Sequence, residues 1–419
     1  MSDLIICGKK KLFGSVQIEN SKNAILPILA ACVMSSGKVT ITDVPDFSDI
    51  TNMLEIIKKL GAKVCSNGTD IFVDSSTICS TEIDGELSKK LRASIFLMGP
   101  LLARFKKCSA SLPGGCNIGA RPIDIHLQVF KELGINISQT ADKVSCDAKY
   151  FFGGVAHLRM PSVGATENII MCACLKENRI TKIVGAAREP EIVDLCNFLC
   201  QMGAKIFGAG TSVITIYGVK KLNGTKYKPI PDRIVAGTYM IALAMCGGKI
   251  KLSNAKIEDN KRLVANLSNL GCTIYNDSAN IYMSSKELVP QNISIITDVF
   301  PGYATDLQSQ MLALLANIEG THTIVEQLFE SRFATAKELI KMGADIDVCG
   351  QRATIFGKKD CYIGSQVVCS DLRGGAALVL AGLAAKGTTI IQESQIIERG
   401  YEGFANKLTL LGADIHKDK

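Results

Sequence analysis

The residues of this chain best suited to chemistry lie in one short run, Pro113-Gly-Gly-Cys-Asn-Ile-Gly-Ala-Arg-Pro122. Three glycines within seven residues imply a mobile loop with accessible backbone N–H groups, and they leave the Cys116 thiol exposed. Arg121 stands five residues further on, and a nearby guanidinium favours the thiolate, the reactive form of cysteine. An ordinary turn with an incidental cysteine has the same composition. A second candidate is Ile18-Glu-Asn-Ser-Lys-Asn-Ala24, where Lys22 and Asn23 open an apolar helix. A lysine there is either a surface cap or a ligand for phosphate or carboxylate, because a helix N-terminus favours negative charge. In Pro161-Ser-Val-Gly-Ala-Thr-Glu167, Ser162, Val163 and Gly164 start a helix that they either cap or equip with N–H donors for an anion. Ala304-Thr-Asp306 and Ser370-Asp371 place an acid at the corresponding spot further along. Such an acid caps a helix or, in a cleft, accepts a hydroxyl proton. Arg92, Arg121, Arg332, Arg373 and Arg399 each read singly as solvated surface, and together as a site for a multiply anionic substrate. Ala187-Arg-Glu-Pro-Glu-Ile192 is a charged loop, functional or only capping.

The elements that position these residues repeat. An apolar residue, a glycine and a strand-like segment recur at Gly61, Gly134, Gly203, Gly271, Gly343 and Gly412, separated by 73, 69, 68, 72 and 69 residues. Each glycine follows an apolar pattern of helical period, as in Met53-Leu54-Ile57-Leu60, and suits the left-handed residue that ends a helix. A second strand signal precedes each copy: GKVTI at Gly37, KCSASL at Lys107, RITKI at Arg179, GKIKL at Gly248, GTHTI at Gly320 and GTTII at Gly387. Each unit therefore reads strand, helix, strand, helix, strand pair, with one helix apolar all round and buried, the other amphipathic and outside. Two prolines at Pro229 and Pro231 mark the middle, so six βαβαββ-type repeats form two α/β domains of three. The expected lobes are residues 22–230, and 1–21 with 231–419, hinged near 20–22 and 228–232 around a closing cleft. The first 21 residues are expected to give a strand to the C-terminal lobe.

Composition excludes several classes. At 47% apolar and 21% charged, the 419 residues form real cores, not a disordered chain. A net charge of +7 suits small anionic ligands, and with no Trp and only 6% aromatic residues nothing argues for nucleic acid. The 16 cysteines are scattered without a CxxC pair, and the four histidines, His126, His157, His322 and His416, are isolated. That spacing gives no metal site and predicts reduced core thiols in a cytoplasmic protein. No apolar run is long enough for a membrane span. Ala24–Cys32 imitates a short signal segment, but similar runs at Ile241–Cys246 and Ala376–Ala384 mark it as a core helix.

The motifs SKNAILPILAA, LRAS…MGPLLAR, LPGGCNIGARPIDIH, PSVGATENI, AAREPEIVDL, PDRI, ATDLQ, FESRF, SDLR and ERGYE, spread over nearly the whole chain, resemble the UDP-N-acetylglucosamine enolpyruvyl transferase family. The resemblance implies a two-lobed inside-out α/β barrel with pseudo-symmetric domains. It implies transfer of the enolpyruvyl group of phosphoenolpyruvate (PEP) to the sugar 3-hydroxyl, with neither metal nor organic cofactor. By resemblance Cys116 is the proton donor to PEP or the site of its adduct, and Asp306 serves deprotonation of the hydroxyl. Lys22, Asn23, Arg121 and Arg399 would hold PEP, with Lys22 and Arg399 also catalytic. The sugar nucleotide would meet Asn23, Arg92, Arg121, Pro122, Ile123, Asp124, Ile125, Ser162, Val163, Gly164, Asp306 and Leu328. Asp371 with Arg373, and Arg332, would support the cleft.

The sequence departs from the family pattern at Met160, where some members carry lysine, at Val235, and at Ile396 and Glu398. These positions bear on diphosphate affinity and closure. Two alternatives remain: the shikimate-pathway sister enzyme, which lacks the cysteine loop, and a non-catalytic copy retained for binding or regulation.

Overall fold

The computed structural model describes residues 3–111 and 123–418. They divide into two compact units. One runs up to Glu19 and resumes at Pro231; the other comprises the described residues between Asn20 and Ile230. Each unit contains three four-stranded sheets and one hydrophobic core.

One repeat shows how the chain makes this. Strand Gly154–His157 leads to helix Val163–Cys174, strand Ile180–Val184, helix Pro190–Gln201 and the hairpin of Lys205–Phe207 with Val213–Tyr217. The strand Ile180–Val184 buries Thr181 and Ile183 and exposes Ile180 and Lys182, the period of two of a sheet with one covered face. Helix Val163–Cys174 is buried continuously from Ala165 to Cys174, as an almost wholly apolar helix must be. Helix Pro190–Gln201 has a proline in its first turn, which presets the backbone, and buries Ile192, Leu195, Phe198 and Leu199 on one side. The first two strands pair in parallel, and the second pairs antiparallel with the last. All six glycines at the ends of the outer helices have positive φ, from +87° at Gly134 to +107° at Gly61 and Gly203. At Gly134 the space is closed as well, since a Cβ would lie 2.5 Å from the Tyr150 carbonyl oxygen.

Three strands come from far away in sequence. Lys226–Tyr227 lies parallel to Val39–Ile41 and completes the first repeat. Leu12–Gln17 lies parallel to Gly248–Ser253 in the fourth. Leu4–Cys7 sits between Thr388–Gln392 and Asp414–Lys417 in the sixth. The N-terminal segment thus supplies two strands to two different sheets, where the sequence pattern indicated one. Where the chain passes between units, the Ser21 N–H donates to Ile230 at 2.8 Å inside one unit, and the Asp232 N–H donates to Glu19 at 2.8 Å inside the other.

In the unit starting at Pro231 the inner helices Arg233–Cys246, Gln308–Ala316 and Leu372–Ala384 pack on one another. In the other unit, Lys22–Ala31 packs on the turn Arg92–Leu97, and Met98–Phe105 on Val163–Cys174. Lys22, Ser162–Gly164, Asp306 and Asp371 stand at the N-terminal ends of inner helices.

Candidate active site

Cys116, Arg121 and Pro122 lie outside the described residues. The other candidates are divided between the two units.

In the unit from Asn20 to Ile230, Lys22 begins its helix and its Nζ lies 3.2 Å from Asp49 Oδ2, with both groups buried. Asn23 follows on the same first turn. Sequence alone does not show Asp49, which comes from the next helix, Ser48–Lys59. Ser162 caps helix Val163–Cys174, its Oγ accepting from the Ala165 N–H at 3.4 Å. Gly164 is needed there for contact: a Cβ would lie 3.2 Å from ring atoms of both His126 and Phe96. His126 stands in the first turn of helix Asp124–Glu132, so this contact brings Ile123, Asp124 and Ile125 beside Ser162, Val163 and Gly164. Asp124 is ion-paired with Arg159.

A buried network fixes that arrangement. Asn168 Oδ1 accepts the Gly99 N–H at 2.7 Å, while its Nδ2 donates to the Ile95 carbonyl at 3.1 Å and to His126 Nδ1 at 3.0 Å. Because the amide donates to Nδ1, the imidazole proton belongs on Nε2. Burial, with the Arg92 charge beside it, pushes His126 down to about 4, against a smaller raising effect of Asp124. His126 is therefore a neutral ring that holds two helix N-termini together. The sequence showed His126 only as an isolated histidine.

In the other unit, Asp306 is the centre. It lies in the turn Thr305–Leu307 before helix Gln308–Ala316. Its Oδ1 accepts from Arg332 Nη2 at 2.8 Å and its Oδ2 from Arg373 Nη2 at 3.1 Å. Both arginine side chains are buried, whereas Asp306 keeps 29% side-chain exposure. Asp371, at the corresponding place of the next repeat, is a cap: its Oδ1 accepts the N–H groups of Arg373 and Gly374, both at 3.0 Å. Expected as a pair, Asp371 and Arg373 thus separate in role, since the Arg373 side chain goes to Asp306. Burial opposes the Arg373 charge, but Tyr401, Asp306 and Asp232 around it more than offset this and hold the group charged. Its guanidinium lies 5.2 Å over the Tyr401 ring, and the Tyr401 hydroxyl accepts from Gln310 Nε2 at 3.0 Å and meets Thr238 Oγ1 at 3.0 Å. Tyr401, Gln310 and Thr238 join three inner helices beneath Arg373 and were not legible as a group. Leu328 stands in the loop leading to Arg332, and Arg399 ends the turn Ser394–Arg399 with an exposed side chain.

Of the departures, Val235 is buried in an inner helix, Met160 is exposed, Ile396 packs on the core and Glu398 pairs with Lys417. All the described cysteines are free thiols, and burial pushes Cys172 and Cys196 up to about 12, far from the thiolate form. Among the described residues no cluster of His, Cys, Asp or Glu could hold a metal ion, and no helix is long and apolar enough to cross a membrane.

A family profile described as EPSP synthase (3-phosphoshikimate 1-carboxyvinyltransferase) matches residues 6–408. Within that broad group the curated relatives are more specific. The chain is 45% identical over 415 residues, 99% of each chain, to UDP-N-acetylglucosamine 1-carboxyvinyltransferase 2 of Caldanaerobacter subterraneus subsp. tengcongensis. It is 46% identical over 420 residues, 100% of this chain and 99% of the relative, to the protein of the same name in Carboxydothermus hydrogenoformans. The chain belongs to the UDP-N-acetylglucosamine 1-carboxyvinyltransferase family. Solved structures agree on the fold. The enolpyruvyl transferase NikO from Streptomyces tendae superposes with a TM-score of 0.88 at 24% identity, covering 100% of this chain and 99% of that one. EPSP synthase from Acinetobacter baumannii gives a TM-score of 0.80 at 17% identity, with 100% of both chains covered. The transferase fold is thus the one expected from the repeats and motifs.

Proposed function

We infer that this chain transfers the enolpyruvyl group of PEP to the 3-hydroxyl of UDP-N-acetylglucosamine and releases phosphate. The observation that carries the reading is its similarity, over 99% of its length, to a protein named for that activity. Asp306, held by two guanidinium groups yet reachable by solvent, supports it from the site.

In the reaction Cys116 gives a proton to the methylene carbon of PEP, and the central carbon becomes electron-poor. The sugar 3-hydroxyl oxygen bonds to that carbon and passes its proton to Asp306. The product of addition is a tetrahedral ketal still bearing phosphate. Transfer of a proton from the new methyl group back to the Cys116 thiolate and cleavage of the carbon–oxygen bond to phosphate restore the double bond and the starting thiol. Lys22, Asn23, Arg121 and Arg399 are assigned to PEP, whose roughly three negative charges need several cations once water is excluded. Ile123–Ile125, Ser162–Gly164 and Arg92 are assigned to the sugar nucleotide, with Asp371, through its cap, Arg332 and Arg373 supporting Asp306.

The test is phosphate release by the full chain given UDP-N-acetylglucosamine and PEP, each alone, and shikimate-3-phosphate with PEP. Release should require both of the first pair and vanish in Cys116→Ala. Release with shikimate-3-phosphate moves the assignment to the sister enzyme. No release with either acceptor, while UDP-N-acetylglucosamine still binds, indicates a non-catalytic copy.

A further inference from the structure

We propose that Glu326 is a positioning residue of this reaction, tying the turn that carries Asp306 to the turn that carries Leu328. The proposal rests on the transferase reading above. Glu326 follows strand Gly320–Val325 and is 1% exposed. Its Oε1 accepts the N–H groups of Leu328 at 2.9 Å and Phe329 at 3.2 Å, which closes the turn 326–329. Its Oε2 accepts from the Thr305 hydroxyl at 2.9 Å. Thr305 precedes Asp306, and its carbonyl accepts from Arg332 Nη2 at 3.3 Å, the same nitrogen that holds Asp306 Oδ1.

Glu326 therefore reaches Asp306 by two routes. One runs through Thr305, its neighbour in the chain. The other runs through Phe329, whose ring lies 5.7 Å from the Arg332 guanidinium. The anchor itself is fixed in the sheet, since the Glu326 N–H donates to Gln351 at 2.8 Å and the Gln327 N–H to the buried Thr297 hydroxyl at 3.0 Å. A buried carboxylate is expensive to desolvate and persists where hydrogen bonds compensate it. Here its three donors belong to the two turns that present Asp306 and Leu328. An alkyl side chain would fill the space without joining them.

Steady-state phosphate release tests this with Thr305→Val, Glu326→Ala, Glu326→Gln and the doubles of Thr305→Val with each Glu326 variant, thermal unfolding confirming that each is folded. Wild-type turnover is measured first, and its absence counts against the transferase reading, not against Glu326. A catalytic group misplaced by about 1 Å loses on the order of 100-fold in rate, so Glu326→Ala should lower kcat by about 10- to 100-fold. It should also raise KM for UDP-N-acetylglucosamine several-fold and leave KM for PEP within about twofold. Thr305→Val should lower kcat alone. Glu326→Gln still accepts from the turn and can donate to the Thr305 oxygen, so it should recover most of the activity. In the Glu326→Ala background Thr305→Val should add nothing. Full multiplication of the two losses, or Glu326→Ala with wild-type kcat and KM, overturns the proposal. If Glu326→Ala does not fold, Glu326→Met, which fills the space without joining the turns, takes its place in the cycle with Thr305→Val, and the same criterion applies: coupled losses support the tie and independent ones remove it.

Discussion

Glu167→Gln should stabilise the unit between Asn20 and Ile230 at neutral pH and flatten its pH dependence. Glu167 lies in the inner helix Val163–Cys174, wholly buried, and neither carboxyl oxygen has a hydrogen-bond partner among the described residues. Burial first, then the nearby Glu191 and Glu189, pushes its carboxyl well above the ordinary 4.5. The folded chain therefore keeps a proton that the unfolded chain has released. Below the ordinary carboxylate pKa both states are protonated and the group is neutral to stability. From there up to the raised folded value the unfolded state binds fewer protons, so stability falls with rising pH by about 1.4 kcal/mol per pH unit. Gln has nearly the same shape and does not titrate. Gln escapes that loss; at about 2–4 °C per kcal/mol for a unit of this size, the melting advantage of the variant should widen by roughly 3–6 °C for each pH unit up to the raised folded value. Differential scanning calorimetry of both proteins from pH 5.5 to 8.5 measures this directly. The advantage of the variant should shrink as the pH is lowered. A difference independent of pH, or a variant less stable at pH 8, refutes the reasoning.

Three further expectations follow from the geometry. Gly203→Ala meets only Asn223, at 3.7 Å, so the positive φ alone should cost about 1–2 kcal/mol; Gly134→Ala adds the 2.5 Å approach to Tyr150 and should cost clearly more in urea unfolding, equal losses contradicting the packing account. Asp306→Asn should retain UDP-N-acetylglucosamine binding and lose on the order of 10²- to 10⁴-fold in kcat, and a rate within tenfold of wild type removes its assignment as base. An epoxide phosphonate of the fosfomycin type should alkylate Cys116. Peptide mass mapping with adduct instead on an exposed thiol such as Cys65, Cys79, Cys200 or Cys349 reassigns the reactive cysteine.

Much of the fold is local and so was legible. The glycine after each outer helix announces a left-handed backbone that the chain adopts at all six places. The apolar inner helices announce their own burial. What local pattern cannot carry is pairing at a distance: Leu4–Cys7 reads as a strand, but nothing in it names Thr388–Gln392 as its neighbour. The same holds for the candidate site. Asp306 and Asp371 look alike in sequence, each near a helix start, and only the placement of Arg332 and Arg373 distinguishes an acid held by two cations from a cap. Glu326 lies three residues before the FESRF motif, and nothing in the sequence alone marks it. Asn168 and Glu167 sit side by side in one apolar helix; the first found partners on two other segments and the second found none.

The strands Leu4–Cys7 and Leu12–Gln17 also impose an order on synthesis. They emerge first, yet their sheet partners begin at Gly248 and Thr388. The described residues between 20 and 230 find their sheet partners among themselves and can close while the ribosome is still adding residues. The first strands must wait with their backbone groups open, for tens of seconds at about 5–20 residues per second. Nascent chains stalled near residue 300 should therefore resist protease across the described residues between 20 and 230 while the N-terminal strands are cut. During this interval the exposed N-terminal strands are the part of the newborn chain most open to pairing with another copy, and the most natural place for a chaperone to hold.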